Sequence, residues 1–308
     1  KMKFSVTIPA YKVNFLQEAI DSILAQTYTD FELIIVDDCS PNDIESVVRR
    51  YDDKRIRYYR NKKNCGAVDV VDNWNICLSY AKGDYIICMG DDDRLLPHCL
   101  QEYANLIDKY PGVGLLHGWT EIIDEDSKVT AMSTHRCEYE SAMSLAWHRW
   151  NAYSRQYIGD FCFEVEWLRS KGGFYKLPLA WGSDDISAII GAMKNGVANT
   201  QTVVFQYRRN RYTISTTGNI MTKVGAILAE DKWYQEFFDS YKGDEHDRLY
   251  AEEMKRNDHR RVQKKIGLTI AEQIHVNPFR ILYWVRHKRK YNLDSQTLVF
   301  AFIQSFKK

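Results

Sequence analysis

The chain has 308 residues, a net charge of +1 and an ordinary globular composition, with 45% hydrophobic and 27% charged residues. This length suffices for one large domain or for a domain with an appendage. No apolar stretch approaches the roughly 20 residues that a membrane-spanning helix needs. The seven cysteines are odd in number and form no C-x-x-C pair, so we expect a reduced, cytoplasmic protein without a disulfide framework. We also expect no signal peptide, because the N-terminus enters a strand pattern directly.

Strand and helix patterns alternate over residues 1–125. Apolar runs predict five strands, in KFSVTIPAY, FELIIVDD, RIRYYRN, GDYIICMGDDD and GVGLLHGWTEII. Helical spacing predicts four helices between them, in NFLQEAIDSILAQ, NDIESVVRRY, AVDVVDNWNICLSYA and PHCLQEYANLIDKY. Such alternation is typical of an α/β protein with a mostly parallel, Rossmann-like sheet flanked by helices.

The alternation weakens past residue 130. SAMSLAWHRWNAY and EVEWLRSKGGF are typical of helices, AWGSDDISAIIGAMKNG of a loop entering a helix, and TVVFQYRR of a strand. From residue 222 the pattern is helical to the end. We therefore predict a main domain over 1–221, with halves 1–125 and 126–221, and a helical C-terminal region over 222–308.

Acidic residues follow two of the predicted strands. Asp37 and Asp38 end FELIIVDD, and Asp91, Asp92 and Asp93 follow YIICMG. A solvated turn is one explanation of tandem aspartates, but in open α/β sheets ligands bind beyond the carboxyl ends of the strands. Clustered carboxylates favour Mg²⁺ or Mn²⁺ and a phosphate-bearing substrate. Because no glycine-rich phosphate loop is present, the residues predict a metal-assisted site for a nucleotide diphosphate compound.

Two long segments carry a family resemblance. FSVTIPAYKVNFLQEAIDSILAQTYTDFELIIVDDCSPND and NKKNCGAVDVVDNWNICLSYAKGDYIICMGDDDRLLP are similar to family 2 glycosyltransferases of the GT-A fold. The resemblance is strong over residues 3–125 and looser over 160–216. It implies an inverting transfer of a sugar from a nucleotide donor, usually a UDP-sugar, to a hydroxyl of a glycan or lipid-linked saccharide. The products would serve polysaccharide or cell-surface glycan synthesis.

The resemblance assigns a group of residues to the nucleotide. Asp38 is expected to hydrogen-bond the uracil ring with support from Asp37, although helix capping is the alternative for both. Tyr11 is able to stack on the base. The remaining residues expected around the base and ribose are Pro9, Ala10, Asn64 and Gly66.

The metal motif has two possible registers. Anchored on Pro97, the family pattern D-x-D-D puts Gly90 at its first aspartate and makes Asp92 the main ligand of Mn²⁺ or Mg²⁺. Asp93 then follows as a second candidate ligand, and Asp91 or Asp93 contacts ribose or metal-bound water. A simple D-x-D reading uses Asp91 and Asp93 instead.

An inverting transfer needs a general base for the acceptor hydroxyl. GGFYKLPLAWGSDDIS resembles the family's G-G-F segment followed by an acidic pair, which makes Asp185 the expected base and gives Asp184 a role in acceptor binding or loop orientation. The alternative is a plain helix N-terminus, where acids suit the helix dipole. Trp181 would stack on an acceptor sugar or belong to the core.

The segment YRRNRYTIST resembles the family's Y-R-x-H-x-x-S segment, whose histidine can join the metal. Here Asn210 stands at the histidine position, which puts that ligand in doubt. Arg208, Arg209 or Arg211 would neutralise the charge of the leaving diphosphate.

The C-terminus is strongly basic, because residues 259–308 hold 11 Lys or Arg against 2 Asp or Glu. A stripe of Leu298, Val299, Phe302, Ile303 and Phe306 accompanies this charge. One interpretation is peripheral contact with an anionic membrane, at the inner membrane face. The other is a helical appendage that packs on the protein or on a second subunit.

Two other functions compete with sugar transfer. A nucleotidyltransferase would carry a glycine-rich signature after the first strand, and IPAYKVNF has no glycine. A noncatalytic nucleotide-sugar-binding protein with the same fold is the alternative outside enzymes. We expect no nucleic-acid partner, because the basic excess is confined to one end.

Overall fold

The computed structural model describes residues 4–210 and 218–307. Ten strands and eleven α-helices lie within these ranges. The strands are β1 (Phe4–Ala10), β2 (Phe31–Asp37), β3 (Ile56–Arg60), β4 (Tyr85–Cys88), β5 (Arg94–Leu95), β6 (Leu115–Ile123), β7 (Val129–Met132), β8 (Tyr139–Glu140), β9 (Phe161–Glu164) and β10 (Val197–Arg208). The helices are α1 (Leu16–Leu24), α2 (Ile44–Val48), α3 (Val70–Tyr80), α4 (Cys99–Lys109), α5 (Ala142–Trp150), α6 (Val165–Ser170), α7 (Ser183–Ala192), α8 (Ile220–Ser240), α9 (Glu245–Val276), α10 (Arg280–His287) and α11 (Ser295–Ser305).

All ten strands belong to one sheet, with the order β3-β2-β1-β4-β9-β6-β10-β5 and with β7 and β8 added beside β6 and β10. The longest pairings are parallel, namely those of β1 with β2 and β4, of β2 with β3, and of β6 with β10. The predicted parallel α/β architecture with flanking helices is thereby confirmed, and so is the helical C-terminal region.

The register of the central strands brings their carboxyl ends to one edge. Ala10 at the end of β1 lies opposite Asp37 at the end of β2. Both strands are buried almost throughout, because their side chains pack under α1, α2 and α4 in one hydrophobic core. The residues that follow these strand ends are therefore attached to a rigid sheet, which is a suitable place for a binding site.

Several short strands were not predicted from the sequence. The antiparallel strand β9 lies between β4 and β6, so the strands after the first four do not simply continue a parallel series. Its four residues, FCFE, are too few to show a period, and strand β5 has only two residues. Tertiary pairing therefore decides these elements rather than local pattern.

Contacts divide the chain into two compact units. The first comprises Lys1–Lys176 with Ser183–Thr213, and the second comprises Leu177–Gly182 with Ile214–Lys308. The second unit packs α8, α9, α10 and α11 around a core that includes Trp284 and Ile266. The predicted domain boundary between residues 221 and 222 falls just inside α8, and the short segment Leu177–Gly182 belongs with the helices.

Candidate active site

The loops that leave β1 and β2 are bound to each other. Ser40 donates its hydroxyl to the carbonyl oxygen of Tyr11 at 2.5 Å, and the side-chain amide of Asn42 donates to the same oxygen at 3.1 Å. The ring of Tyr11 is exposed at this edge, whereas the side chain of Ala10 is fully buried. Of Ala10 and Tyr11, both predicted to contact the base, only Tyr11 has a side chain that is accessible to a ligand.

Asp37 is a buried structural carboxylate. It accepts hydrogen bonds from the amide of Ser40 at 2.7 Å and from the hydroxyl of Tyr58 at 2.8 Å, and it forms an ion pair with Arg60. Its side chain thus holds the turn after β2. The capping alternative for Asp37 and Asp38 does not hold for α2, because Asp43 is the N-cap and accepts from the amide of Ser46.

Asp38 organises the loop that was expected beside the nucleotide. Its carboxylate accepts from the side-chain amide of Asn61 at 2.8 Å and from the amide of Cys65 at 3.0 Å. Asn64, next to Cys65, accepts from the amide of Gly66, which has φ of +80°. This left-handed conformation favours glycine. The structure therefore brings the predicted residues Asp38, Asn64 and Gly66 together.

The three aspartates after β4 make different contacts. Asp91 accepts from the backbone amides of Tyr11 and Lys12 through one oxygen, at 2.8 and 2.7 Å, and so ties the β1 loop to β4. Asp93 accepts from the amide of Arg208 at 2.8 Å and is almost fully buried. Asp92 instead accepts from the side-chain amide of Asn210 at 2.5 Å.

A cavity of about 170 Å³ opens beside these aspartates. It is lined by Lys12, Asn14, Phe15, Asp91, Asp92, Glu125 and Asn210. Asp93 is not part of this lining. Burial and the charge of Asp92 raise the pKa of Asp91 to about 6, and burial is also the main cause that raises the pKa of Asp92. Burial thus disfavours the charged forms of both Asp91 and Asp92, and the charge of Asp92 further disfavours that of Asp91.

The lining of this cavity offers oxygen ligands for a divalent cation. Within the residues that the structure describes, no group of three or more His, Cys, Asp or Glu side chains forms a metal site by itself. Mg²⁺, however, is often held by one or two carboxylates and completed by water and substrate phosphates. Asp92 and the amide oxygen of Asn210 are suitable oxygen donors for such a cation, and the crowded negative charge favours it.

The contacts of Asp93 favour Asp92 over Asp93 as the ligand of a cation in this cavity. One oxygen of Asp93 is bound to the backbone of β10, and the other lies against Gly90, where an added Cβ would be only 2.8 Å away. That Cβ would also lie 3.0 Å from an oxygen of Asp92. An aspartate at position 90 would therefore crowd the carboxylates of Asp92 and Asp93.

The structure contradicts the expectation that Arg208 neutralises the leaving diphosphate, because the Arg208 side chain is fully buried and cannot contact a ligand at the surface. It lies with its guanidinium carbon 4.0 Å from the ring centre of Phe15. Its guanidinium donates to the carbonyl oxygens of Asp92 and Asp124, to the hydroxyl of Ser127 and to the carboxylate of Glu18, at 2.8 to 3.0 Å. Arg208 therefore fixes the Asp92 loop, and among the described residues the basic side chain that lines the cavity is Lys12, which was not predicted from the sequence. Arg211 lies outside the described residues.

The second acidic pair begins α7, as predicted. Asp185 is buried, and one of its oxygens accepts from Nε of Arg149 at 2.7 Å and from the side-chain amide of Gln156 at 2.8 Å. Arg149 belongs to α5, and Gln156 lies in the loop that follows α5. Neither residue was identified from the sequence, because they lie 36 and 29 residues from Asp185.

Asp184 has a different environment from Asp185. Part of its surface is accessible, yet enough protein surrounds the carboxyl group that desolvation, together with the charge of Asp185, raises its pKa to about 7. Arg149 opposes this shift, and buried Asp160 adds to it. A carboxyl group with this pKa changes its charge near neutral pH.

Two stacked tyrosines, Tyr157 and Tyr207, lie near buried acidic residues of the first unit. The rings of Tyr157 and Tyr207 are 3.7 Å apart and nearly parallel. Burial and the charge of Asp93 raise the pKa of Tyr207, whereas burial and the charge of Asp160 raise that of Tyr157. Each ring thus lies close enough to a buried aspartate for that charge to raise the pKa of the tyrosine.

Trp181 is placed in the second unit. It is partly buried against the core of the helices, and the ammonium of Lys223 lies 4.7 Å from its ring centre. This favours the alternative in which Trp181 has a packing role.

The model of the family described as "Glycosyl transferase family 2" matches residues 5–171. An uncharacterized glycosyltransferase of Rickettsia typhi is 32% identical over 125 residues, which are 40% of this chain and 38% of that protein. The poly(ribitol-phosphate) β-N-acetylglucosaminyltransferase TarS of Staphylococcus aureus is 29% identical over 119 residues, or 35% of this chain and 19% of TarS. The chain thus spans well under half the length of these curated relatives.

Solved structures extend the similarity in fold. Residues 1–349 of S. aureus TarS, crystallised with UDP-GlcNAc, match with a TM-score of 0.67 and 14% identity, over 99% of this chain and 91% of that one. The same TarS fragment in complex with UDP matches with a TM-score of 0.59 and 15% identity. The predicted GT-A class is confirmed.

Proposed function

Because this chain belongs to glycosyl transferase family 2, we propose that it transfers a sugar from a nucleotide-diphosphate donor to a hydroxyl of a saccharide or lipid-linked saccharide. One observation carries the proposal: the four loops that follow β1, β2, β3 and β4 are tied to one another by Asp38, Ser40 and Asp91, beside a cavity lined by Asp91 and Asp92. Ligands of α/β sheets bind at such an edge.

The donor would bind with its base beside Tyr11 and the Asp38 loop. Tyr11 offers an exposed aromatic face, and the Asp38 carboxylate is held in place by Asn61 and Cys65. UDP is the nucleotide that we propose, since TarS, which shares this fold, is described in complexes with UDP and UDP-GlcNAc. The diphosphate would lie in the cavity next to the ammonium of Lys12.

The reaction breaks the bond between the anomeric carbon and the diphosphate oxygen as the acceptor oxygen attacks from the opposite face. Negative charge develops on the leaving diphosphate, and Lys12 stabilises it electrostatically. A divalent cation held by Asp92 and Asn210, when bound, would supply further charge neutralisation. The acceptor hydroxyl loses its proton to a carboxylate.

We assign proton removal to the pair at the start of α7. Asp185 remains our choice of base, because the bonds from Arg149 and Gln156 hold its carboxylate in one orientation. Asp184 is the second candidate on a specific observation: its pKa is raised to about 7, and a general base works best with a pKa near the operating pH. A pH–rate profile of each Asn variant separates the two.

The proposal is tested by incubating the chain with a panel of nucleotide-sugars and Mn²⁺, and by measuring release of free nucleotide diphosphate with and without saccharide acceptors. Turnover of one donor, lost on removal of the metal with a chelator, would support it. Saturable donor binding without turnover across the panel would favour the noncatalytic binding protein. If the chain neither binds nor turns over any nucleotide-sugar, both interpretations are wrong.

A further inference from the structure

The last two helices each carry a row of exposed apolar side chains. Phe279, directly before α10, and Leu282 and Val285 on α10 follow one another at intervals of three residues, and Phe279 and Leu282 are 79% and 64% exposed. The opposite face of the helix buries Trp284 in the helical core. The exposed row is thus additional to the side chains that the fold needs.

The row on α11 differs from the stripe expected from the sequence. Leu298 is buried in the core of the second unit, together with Ala301. The exposed side chains are Val299, Phe302, Ile303 and Phe306, and Phe306 is 70% exposed. Their spacing of three and four residues places them on one face of the helix.

The end of α9, which leads into the row on α10, lies beside the end of α11. His275, near the end of α9, has its Nδ1 2.8 Å from the carbonyl oxygen of Ser305. Val276 and Phe306, which directly follow these residues, are therefore close, and Val276 is 84% exposed. We call the following exposed side chains the apolar patch: Val276, Phe279, Leu282, Val285, Val299, Phe302, Ile303 and Phe306.

Basic side chains accompany the patch. Residues 276–308 contain seven Lys or Arg and one Asp or Glu. Arg280, Arg286, Arg289 and Lys290 are exposed, and none of them forms an ion pair within the ranges 4–210 and 218–307. Arg280 directly follows Phe279, and Arg286 lies one helical turn after Leu282, so charge and apolar surface share the same short helix.

We propose that the apolar patch docks on the surface of an anionic lipid bilayer. Aromatic and aliphatic side chains enter the boundary between headgroups and acyl chains, while Lys and Arg pair with anionic headgroups. None of the described helices is long and apolar enough to pass through a bilayer, so the contact is peripheral. A symmetric dimer through the same patch would bring like-charged arginines together, which disfavours a second copy as the occupant. This inference is independent of the sugar-transfer proposal.

The test is co-sedimentation of the intact chain with phosphatidylcholine vesicles that contain or lack phosphatidylglycerol. Two variants remove one component each: Phe279→Ser with Leu282→Ser and Phe306→Ser, and Arg286→Glu with Arg289→Glu and Lys290→Glu. Each basic side chain near an anionic surface changes binding about fivefold, so the charge variant should bind at least about 100-fold more weakly. Because these side chains are exposed, melting curves should show that both variants remain folded.

The control variants are Leu249→Ser and Arg256→Glu on α9. Leu249 is 56% exposed, and along the helix axis these residues lie about 40 Å and about 30 Å from Val276. We expect wild type and controls to bind anionic vesicles equally, to bind less as salt rises, and to ignore neutral vesicles. Equal sedimentation of all proteins, or no binding by wild type, would overturn the proposal. So would a wild-type dimer in analytical ultracentrifugation that the apolar variant converts to monomer.

A chain truncated near Asp258 would not answer the question, because Asp258 lies in the middle of α9. Such a truncation removes half of the helix that α8 and α11 pack against. Point variants of exposed residues avoid this problem, and loss of vesicle binding can then be attributed to the patch itself.

Discussion

The two acidic centres of the first unit are built in different ways. Asp91 and Asp93 after β4 are held by backbone amides of Tyr11, Lys12 and Arg208. Asp185 on α7 is held by side chains, those of Arg149 and Gln156. The first centre depends on where strands end, whereas the second depends on which side chains approach it from α5 and the following loop.

This difference separates two tasks. Backbone amides hold the Asp91 carboxylate beside the cavity, where negative charge attracts a cation that in turn binds a diphosphate. An arginine and an amide beside a carboxylate control the orientation and charge of one group, suited to moving a proton. The first centre should therefore be sensitive to loss of charge, and the second to changes in geometry and pH.

The largest effect is expected at the first centre. Asp92→Asn should abolish transfer, because it removes from the cavity lining the negative charge that would bind the cation. Product formation with a nucleotide-sugar and Mn²⁺ is the measurement, and Asp52→Asn, an exposed aspartate before β3, is the matched control. If Asp92→Asn kept most of its metal-dependent turnover, our register for the three aspartates would be wrong.

A smaller loss is expected at the second centre. Asp185→Asn should lower kcat by roughly 10²–10⁴, the usual contribution of a general base, while the Kd of the donor changes much less. Stopped assays with saturating donor, together with calorimetric donor binding, measure the two quantities. A loss of donor affinity as large as the loss of rate would instead place Asp185 in the donor site.

The positioning role of Arg149 can be tested in the same assay. Arg149→Gln removes the ion pair with Asp185 and should lower kcat by up to about 100-fold through misplacement of the carboxylate. The KM for donor should hardly change, and Arg149→Lys should restore part of the rate. Arg49→Gln, which breaks an exposed pair on α2, serves as the control. An equal effect of both arginine variants would contradict the positioning role.

The smallest effect concerns stability. The pKa of Asp184 is raised by desolvation and by the charge of Asp185 to about 7, against 3.8 in the unfolded chain. The unfolded state therefore ionises first, and Asp184 increasingly destabilises the fold as pH rises from about 4 to 7. Asp184→Asn removes this cost.

Thermal melts should show that the advantage of Asp184→Asn over wild type grows between pH 4 and pH 7 and is constant above. Arg149, Asp185 and Asp160 surround the group and stay unchanged in this variant. A difference in melting temperature that is independent of pH would refute the raised pKa.

Much of the first centre could be predicted from the sequence. The buried runs FSVTIPA and FELIIVD identify parallel strands, and the acids that directly follow such runs must lie at the carboxyl edge of the sheet. The acidic pair Asp184 and Asp185 was likewise placed correctly at the start of a helix. These inferences succeed because the period of side chains and the position of strand ends are local properties of the chain.

Only the tertiary structure decided which side chains are accessible to a ligand and which are buried and hold the site in place. The sequence could not show that Arg208 is buried behind Phe15, that Asp93 faces the backbone of β10, or that Arg149 pairs with Asp185. Nor could it separate buried Leu298 from exposed Val299 on the same apolar helix. Each of these outcomes depends on partners many residues away in the sequence, because burial and ion pairing arise when distant elements pack. The local sequence pattern does not specify which distant residue becomes the partner.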